Sequence, residues 1–272
     1  MIPNYRFGSE ELPVQAGRYL LVVSPLCPYC RRVTIARRLL GLEAAIGVRY
    51  ATGSGPDGFE FIREGYSYDP VLMVRSAREL YRRQPTFEPD DPQTVPVILD
   101  SQRDSQIVAT ESADMLLDFC TAWKPFCHFE APDLYPPVER EKLDELDAWL
   151  NKQLVTPSWS VSQGEADAET REEFSRTLQR LEEMLHVNPF LTGQQPRESD
   201  IRAFVVFQVI SAADPQILSD FQAISEYLSR LSQMPAWVSP EEAAALDPNY
   251  SGSGESEDSA GAVACSAQGF PL

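Results

Sequence analysis

Two cysteines in the run Cys27-Pro28-Tyr29-Cys30 are the side chains of this sequence best suited to covalent chemistry. They follow the apolar residues 19–23 and precede an amphipathic stretch at residues 31–40. This order predicts a strand, a tight turn and a helix that begins at Cys27, where unpaired N–H groups and the helix dipole favour a thiolate. A thiolate there can attack a sulfur or an activated carbon, and Cys30 can then resolve the mixed disulfide.

The same pair also fits half of a zinc site or two inert buried cysteines. A zinc site needs two further ligands at a suitable spacing. The remaining cysteines and histidines form no second CxxC pair; they are Cys120, Cys127, His128, His186 and Cys265. The strand–turn–helix context therefore favours redox or transferase chemistry, and we expect no metal.

Composition excludes several classes of function. A net charge of −18 argues against nucleic acid and anionic membrane surfaces, because both are polyanions. No apolar run approaches the roughly 18 residues of a membrane-spanning helix, and the first residues do not resemble a signal peptide. Five cysteines without disulfide-framework spacing fit a reducing compartment, so we expect a cytoplasmic protein.

Hydrophobic spacing divides the 272 residues into two domains and a tail. Residues 1–125 predict an α/β domain, residues 126–240 an all-helical domain, and residues 241–272 an acidic, mobile tail. Strands are expected at residues 18–24, 46–50, 95–99 and 107–109, and a loop at 53–58. Helices are expected at residues 27–40, 71–81, 110–119, 138–154, 168–185, 200–210 and 221–231.

Two further sites lie downstream of the cysteines. A proline inside a predicted strand, at Val95-Pro96, suggests a cis bond that turns the Val95 backbone toward a peptide-like ligand, with a trans proline on an edge strand as the alternative. Glu111-Ser112 lies where a strand meets a helix and suits the ammonium and carboxylate of an α-amino acid. A plain helix cap is the alternative for that pair.

These three sites, in this order, resemble the thioredoxin-fold half of a glutathione transferase. Further motifs are most similar to the Xi class, the glutathionyl-hydroquinone reductases; they include Gly17-Arg18-Tyr19-Leu20, Ala77-Arg78-Glu79-Leu80-Tyr81, Asp133-Leu134-Tyr135-Pro136 and Ser199-Asp200-Ile201-Arg202. The resemblance spans residues 10–238. It implies an α/β thioredoxin-like N-terminal domain, an all-α C-terminal domain, and glutathione or a related thiol as co-substrate.

The resemblance also implies a role for each site residue. Cys27 would be the nucleophile, and Val95, preceding Pro96, would pair with the cysteinyl backbone of the thiol. Tyr135 would stabilise a leaving phenolate. The two ends of the thiol would be held by Glu111 and Ser112 at the γ-glutamyl group and by Arg78 at the glycyl carboxylate.

Three departures from the family pattern bear on these roles. The family has Cys-Pro-Trp-Ala, so Cys30 is an extra thiol that permits dithiol chemistry. Phe59 stands where the family has a tryptophan and lacks its N–H donor. Arg197 stands at a helix-cap position that is usually Ser or Thr, which weakens the capping box.

The sequence thus predicts a cysteine-dependent thiol transferase or reductase, in which Cys27 attacks the sulfur of a conjugate such as a glutathionyl-hydroquinone. The first alternative is a glutaredoxin-like dithiol oxidoreductase that uses both Cys27 and Cys30. The second is a non-catalytic ligand-binding protein on the same scaffold. The resemblance implies a homodimer that acts on small aromatic or disulfide substrates.

Overall fold

The computed structural model describes residues 2–63 and 65–246, and its first half is built on a four-stranded sheet. The strands are β1 (Tyr19–Val23), β2 (Ile46–Tyr50), β3 (Gly53–Gly55), β4 (Gly58–Glu60), β5 (Val97–Asp100) and β6 (Gln106–Ala109). The sheet order is β2-β1-β5-β6, with β1 parallel to β2 and the other neighbours antiparallel. β3 and β4 form a separate hairpin.

Three helices belong to this half, namely α1 (Pro28–Leu39), α2 (Ala77–Arg82) and α3 (Ser112–Cys120). Pro28 is tolerated at the start of α1 because its missing N–H would be unpaired in the first turn anyway. Beside the sheet, the buried rings of Phe7, Tyr19 and Trp123 meet edge to face, with centroids 4.9 to 5.9 Å apart. The α/β architecture predicted for this half is confirmed.

The second half is helical, as predicted. Its helices are α4 (Arg140–Leu150), α5 (Thr156–Ser162), α6 (Ala168–Val187), α7 (Glu198–Ala213), α8 (Gln222–Ser232) and α9 (Pro240–Leu246). Helix α7 is buried on nearly every face and packs against α1, so it joins the two halves. At its start the Arg197 N–H donates to Asp200 Oδ2 at 2.8 Å, whereas a guanidinium cannot accept the reciprocal bond of a capping box.

Several local predictions were wrong. Residues 53–58 form most of the β3–β4 hairpin rather than a loop, and the predicted helix at 71–81 starts only at Ala77. Asp69 explains the late start, because its carboxylate accepts the N–H groups of Val71 and Leu72 at 2.8 and 2.9 Å and fixes a loop there. Ser76 then caps α2 by accepting the Glu79 N–H.

The helix predicted at residues 138–154 is shorter and is followed by a wider, π-helical turn at Asn151–Val155 before α5. Pro157 lies just beyond and has no N–H to donate to the preceding turn, which accounts for the break. The first residues of the predicted tail form α9, whose Glu242 is 1 % exposed. The rest of that prediction, residues 247–272, lies outside the described residues. In the two described stretches, no helix combines the length and apolar character needed to cross a membrane.

Candidate active site

Cys27 lies at the position predicted for it, immediately before the first residue of α1. Its backbone is extended, with φ −83° and ψ 118°, and its side chain is 3 % exposed. The Arg31 N–H donates to the Cys27 carbonyl at 3.1 Å, which closes the first turn. The Cys27 sulfur therefore lies at the positive end of a twelve-residue helix, where the backbone favours its anionic form.

Cys30 lies one turn further along the same helix and is fully buried. The Ser24 N–H, at the end of β1, donates to Cys30 Sγ at 3.3 Å. Cys27 and Cys30 are not joined by a disulfide in this structure. The part of the chain that the structure describes contains no group of three or more His, Cys, Asp or Glu side chains placed to hold a metal ion.

Two arginines follow the cysteine motif, and both are buried rather than solvent-facing. Burial lowers the pKa of Arg31 and lowers the pKa of Arg32 to about 10, while the nearby Cys27 acts in the opposite direction on each. The Arg31 Nη1 donates to Gln208 Oε1 on α7 at 2.8 Å. The coupling is mutual, so both guanidinium groups favour a negative charge on the Cys27 sulfur.

The Val95–Pro96 bond is cis, which confirms the prediction for this proline. The prediction that Pro96 lies inside a strand was wrong, because β5 begins at Val97, where pairing with Val22 starts. Val95 is therefore outside the ladder, and its carbonyl oxygen lies 3.6 Å from Cys27 Sγ. The structure thus brings Cys27 and Val95 together.

Glu111 and Ser112 lie at the junction predicted for them, with Ser112 as the first residue of α3. The Glu111 carboxylate is exposed, and among the described residues it makes no capping hydrogen bond. The backbone N–H of Glu111 is taken by Asn4 Oδ1 at 3.1 Å. These contacts do not fit the plain helix-cap alternative and leave the carboxylate accessible to a ligand.

Arg78 and Phe59, the other two residues predicted to contact the thiol, lie on α2 and on the β3–β4 hairpin, respectively. Arg78, on α2, pairs with Asp57 of the β3–β4 turn at 2.6 Å and donates to Gln93 Oε1 at 3.4 Å. Phe59 is half-buried in β4, opposite Ser54. An anion that binds Arg78 must therefore compete with Asp57.

Tyr135 is buried in the segment that leads into α4. Its hydroxyl donates to Asp144 Oδ1 at 2.5 Å, and the Arg140 guanidinium lies 5.1 Å from its ring centroid. Burial, reinforced by the Asp144 carboxylate, raises the pKa of Tyr135 to about 12. In this arrangement the Tyr135 hydroxyl already donates its hydrogen bond to Asp144.

A buried charged cluster near the cysteine was missed in the sequence. Arg202 Nε lies 2.6 Å from Glu198 Oε2 and 3.0 Å from Asp147 Oδ2. Burial, and then the Glu198 carboxyl, raise the pKa of Asp147. The i,i+4 spacing of Glu198 and Arg202 on a helix predicted to be buried could have revealed an ion pair, but nothing in the sequence placed Asp147 beside it.

A cavity of about 360 Å³ lies elsewhere, between α4 and α6. Arg180 Cζ lies 4.4 Å from the ring centroid of Trp149, and both residues line this cavity. None of the residues predicted from the sequence to bind thiol or to react contributes to its wall. The candidate site is therefore the surface around Cys27, Val95 and Glu111.

Comparison with known proteins gives relatives along most of the chain, although no family model matches it. The chain is 30 % identical over 247 residues to the glutathionyl-hydroquinone reductase YqjG of Escherichia coli, covering 84 % of this chain and 73 % of the relative. It is 33 % identical over 232 residues to the glutathione S-transferase omega-like 2 of Schizosaccharomyces pombe, covering 81 % and 71 %.

Solved structures of glutathione transferases are also similar to this chain. The glutathione transferase Xi of Phanerochaete chrysosporium is 26 % identical with a TM-score of 0.75, over 87 % of this chain and 85 % of that one. The glutathione-bound structure of Escherichia coli YqjG is 27 % identical with a TM-score of 0.74, over 85 % and 78 %. Both similarities extend through the two halves of the fold.

Proposed function

Because this chain belongs to the glutathione transferase superfamily, close to its Xi class, we propose that it is a glutathione-dependent reductase of aromatic thioethers with Cys27 as nucleophile. Its relatives make it a glutathione transferase-like enzyme with glutathione as co-substrate. What we propose beyond this is the class of substrate and the role of Cys27 as the nucleophile. The relative from Escherichia coli is named a glutathionyl-hydroquinone reductase, and that substrate class is the one we propose here.

The observation that carries the proposal is the position of Cys27 against Val95. A sulfur bonded to Cys27 brings the cysteinyl backbone of its thiol beside Val95, whose carbonyl is 3.6 Å from Cys27 Sγ. From there Glu111 and Ser112 hold the γ-glutamyl end, and Arg78 holds the glycyl carboxylate. Phe59 contributes an apolar wall near Arg78.

The reaction balances without any further cofactor. The Cys27 thiolate attacks the glutathionyl sulfur and an S–S bond forms, while the carbon–sulfur bond breaks. Its electron pair passes to the aromatic ring, which takes up one proton from solvent; the glutathione that acts next as a thiolate returns one proton to solvent. The ring is reduced and Cys27 is oxidised to a mixed disulfide. A second glutathione then attacks that disulfide and releases the Cys27 thiolate and glutathione disulfide.

A dithiol cycle is a second candidate, favoured by one observation. Cys30 lies one helical turn from Cys27, which places a second thiol close to the first. In that cycle Cys30 attacks the Cys27 mixed disulfide and releases glutathione, which suits disulfide substrates. Two further glutathiones then reduce the Cys27–Cys30 disulfide to the dithiol and leave as glutathione disulfide. Cys30→Ala separates the two cycles, because it leaves reduction of the thioether by one free glutathione intact and prevents the Cys27–Cys30 disulfide.

Steady-state assays with a glutathionyl-hydroquinone and glutathione test the proposal directly. The unmodified protein should release the hydroquinone and glutathione disulfide in equal amounts, and Cys27→Ser should not. Absence of hydroquinone release by the unmodified protein would refute the proposed substrate class. We also propose a homodimer in the cytoplasm, tested by light scattering and cell fractionation.

A further inference from the structure

Arg32 is unusual among the arginines of α1 because its guanidinium has no hydrogen-bond partner in the described part of the chain. Its side chain is 5 % exposed, and its Nε is buried without a partner. Its Cζ lies 4.9 Å from the ring centroid of Tyr29, which covers it. An unpaired buried charge is costly, so an arginine retained in this state points to an anion that it meets during function.

The other three arginines of the helix provide the comparison. Arg31 donates to Gln208 Oε1 at 2.8 Å, Arg37 donates to the Ile46 carbonyl at 2.7 Å, and Arg38 pairs with Glu242 at 2.7 Å. Each of these guanidinium groups makes at least one hydrogen bond or ion pair within the protein, although the Nε of Arg31 is also buried without a partner. Arg32 is therefore the cation of α1 that remains available for a ligand.

The charged groups facing Arg32 from the neighbouring elements are engaged with one another. Arg202 lies nearby and pairs with both Glu198 at 2.6 Å and Asp147 at 3.0 Å. Asp147 also faces Arg32, but no hydrogen bond joins the two side chains in the described structure. Cys27 interacts with Arg32 as well, and as a thiolate its sulfur carries the charge that the reaction consumes.

The leaving group of the proposed reaction develops a negative charge at the same time. In the keto tautomer of the substrate, the C–S electron pair moves into the ring as Cys27 attacks the sulfur, and the ring carbonyl oxygen becomes a phenolate. Tyr135 is poorly suited to stabilise that oxygen while its proton is held by Asp144 at 2.5 Å. A cation near Cys27 is better placed to stabilise the phenolate, because it already stabilises the negative charge of the thiolate from which the phenolate charge is derived.

We propose that Arg32 is a catalytic residue that stabilises the phenolate oxygen of the departing aromatic group. This inference rests on the proposed function. As negative charge moves from the Cys27 sulfur to the ring oxygen, Arg32 stops stabilising the thiolate and stabilises the phenolate instead. The phenolate then takes a proton from solvent. The preferred substrates are therefore aromatic thioethers with a hydroxyl next to the sulfur-bearing carbon.

The test compares Arg32→Gln and Arg32→Lys with Arg31→Gln as the matched control on the same helix. Two rates are measured for each variant: alkylation of Cys27 by iodoacetamide, which needs the thiolate and makes no phenolate, and turnover of a glutathionyl-hydroquinone. Arg32→Gln should lower kcat by about 100-fold, the usual effect of losing one oxyanion donor, well beyond its effect on alkylation. Arg31→Gln should lower both rates by the same factor, and Arg32→Lys should recover part of kcat.

A series of ring-chlorinated substrates gives a second, independent test. It compares the slope of kcat against the phenol pKa of the substrate, and this slope does not depend on how much of a variant is folded. Chlorine stabilises the phenolate, so kcat should depend more steeply on the phenol pKa of the substrate in either Arg32 variant than in the unmodified protein. Equal slopes, or losses of kcat that merely follow the alkylation rate, would overturn the proposal. If the unmodified protein releases no hydroquinone, the proposed function fails instead, which is a distinct result.

Discussion

Cys27 Sγ lies 3.6 Å from the carbonyl oxygen of Val95, although 68 positions separate the two residues in the chain. The contact joins the start of α1 to the peptide that precedes β5. We therefore expect a thiol attached to Cys27 to lie along the Val95 backbone.

We predict that Cys27 is the reactive thiol and that Cys30 serves only dithiol turnover. Cys27 lies at the helix start with slight exposure, whereas Cys30 is fully buried. Alkylation at pH 6 followed by peptide mass mapping should label Cys27 first. Cys30→Ala is the matched control and should keep thioether reduction. Preferential labelling of Cys30, or full activity in Cys27→Ala, would contradict the assignment.

Glu111→Gln should weaken glutathione binding while leaving the alkylation rate of Cys27 nearly unchanged. Loss of a charged partner typically costs about 1–3 kcal/mol, or roughly 5- to 150-fold in Kd. Calorimetric titration with glutathione measures the effect. Asp114→Asn is the control, because Asp114 lies in the first turn of the same helix and is already paired with Arg6 at 2.8 Å. Equal losses in both variants would remove Glu111 from the site.

Arg78→Ala should weaken binding of glutathione but not of its γ-glutamylcysteine fragment, which lacks the glycyl carboxylate. The structure pairs Arg78 with Asp57, so Asp57→Ala should strengthen glutathione binding by freeing the guanidinium. Arg82→Ala, an exposed arginine on the same helix, is the control. If Arg78→Ala weakens both ligands equally, its role as carboxylate anchor is wrong.

Glu242→Gln should destabilise the fold, because this buried carboxylate ties α9 to α1. It accepts from Thr34 Oγ1 at 2.5 Å and pairs with Arg38 at 2.7 Å. A loss of about 1–3 kcal/mol in the free energy of unfolding is expected from urea denaturation. Glu241→Gln, the exposed neighbour, should have little effect. Equal stability of the two variants would show that the Glu242 contacts do not stabilise the fold.

Acid stability should depend on Asp100. Burial alone would raise its pKa, but the Arg18 guanidinium, at 2.6 Å, and the Gln102 N–H hold that pKa below its usual value. A depressed folded-state pKa contributes stability above the unfolded value of about 3.9, and this contribution is lost as pH falls through the folded value. Asp100→Asn should therefore be destabilised at pH 7, and its deficit should shrink below about pH 4.

Urea denaturation between pH 7 and pH 2 measures that dependence. Asp104→Asn, which removes an exposed carboxylate from the same turn, should show a small and pH-independent difference. A deficit in Asp100→Asn that stays constant across the range would mean that the Arg18 pair does not depress the pKa.

The sequence was sufficient to predict the architecture and the neighbourhood of Cys27, because both depend on local signals. Apolar periodicity gave the helices and the sheet strands, and the strand–turn–helix order around Cys27 gave its place before α1. The cis bond at Pro96 followed from the difficulty of placing a proline within a ladder.

What the sequence did not reveal depends on contacts between distant segments. Nothing in the sequence indicated that Arg32 would be buried, because its burial depends on the packing of the folded protein. Nor did the sequence indicate that the Tyr135 hydroxyl would donate to Asp144. Likewise, α9 was read as tail because Glu242 becomes a buried partner only when it meets Thr34 and Arg38.

The most direct test of the central claim is the intact mass of the protein after incubation with a glutathionyl-hydroquinone in the absence of free glutathione. The account predicts that Cys30→Ala gains the mass of one glutathionyl group, located on Cys27 by peptide mapping and removed by added glutathione, with release of one equivalent of hydroquinone. No adduct, or an adduct on any residue other than Cys27, would contradict it.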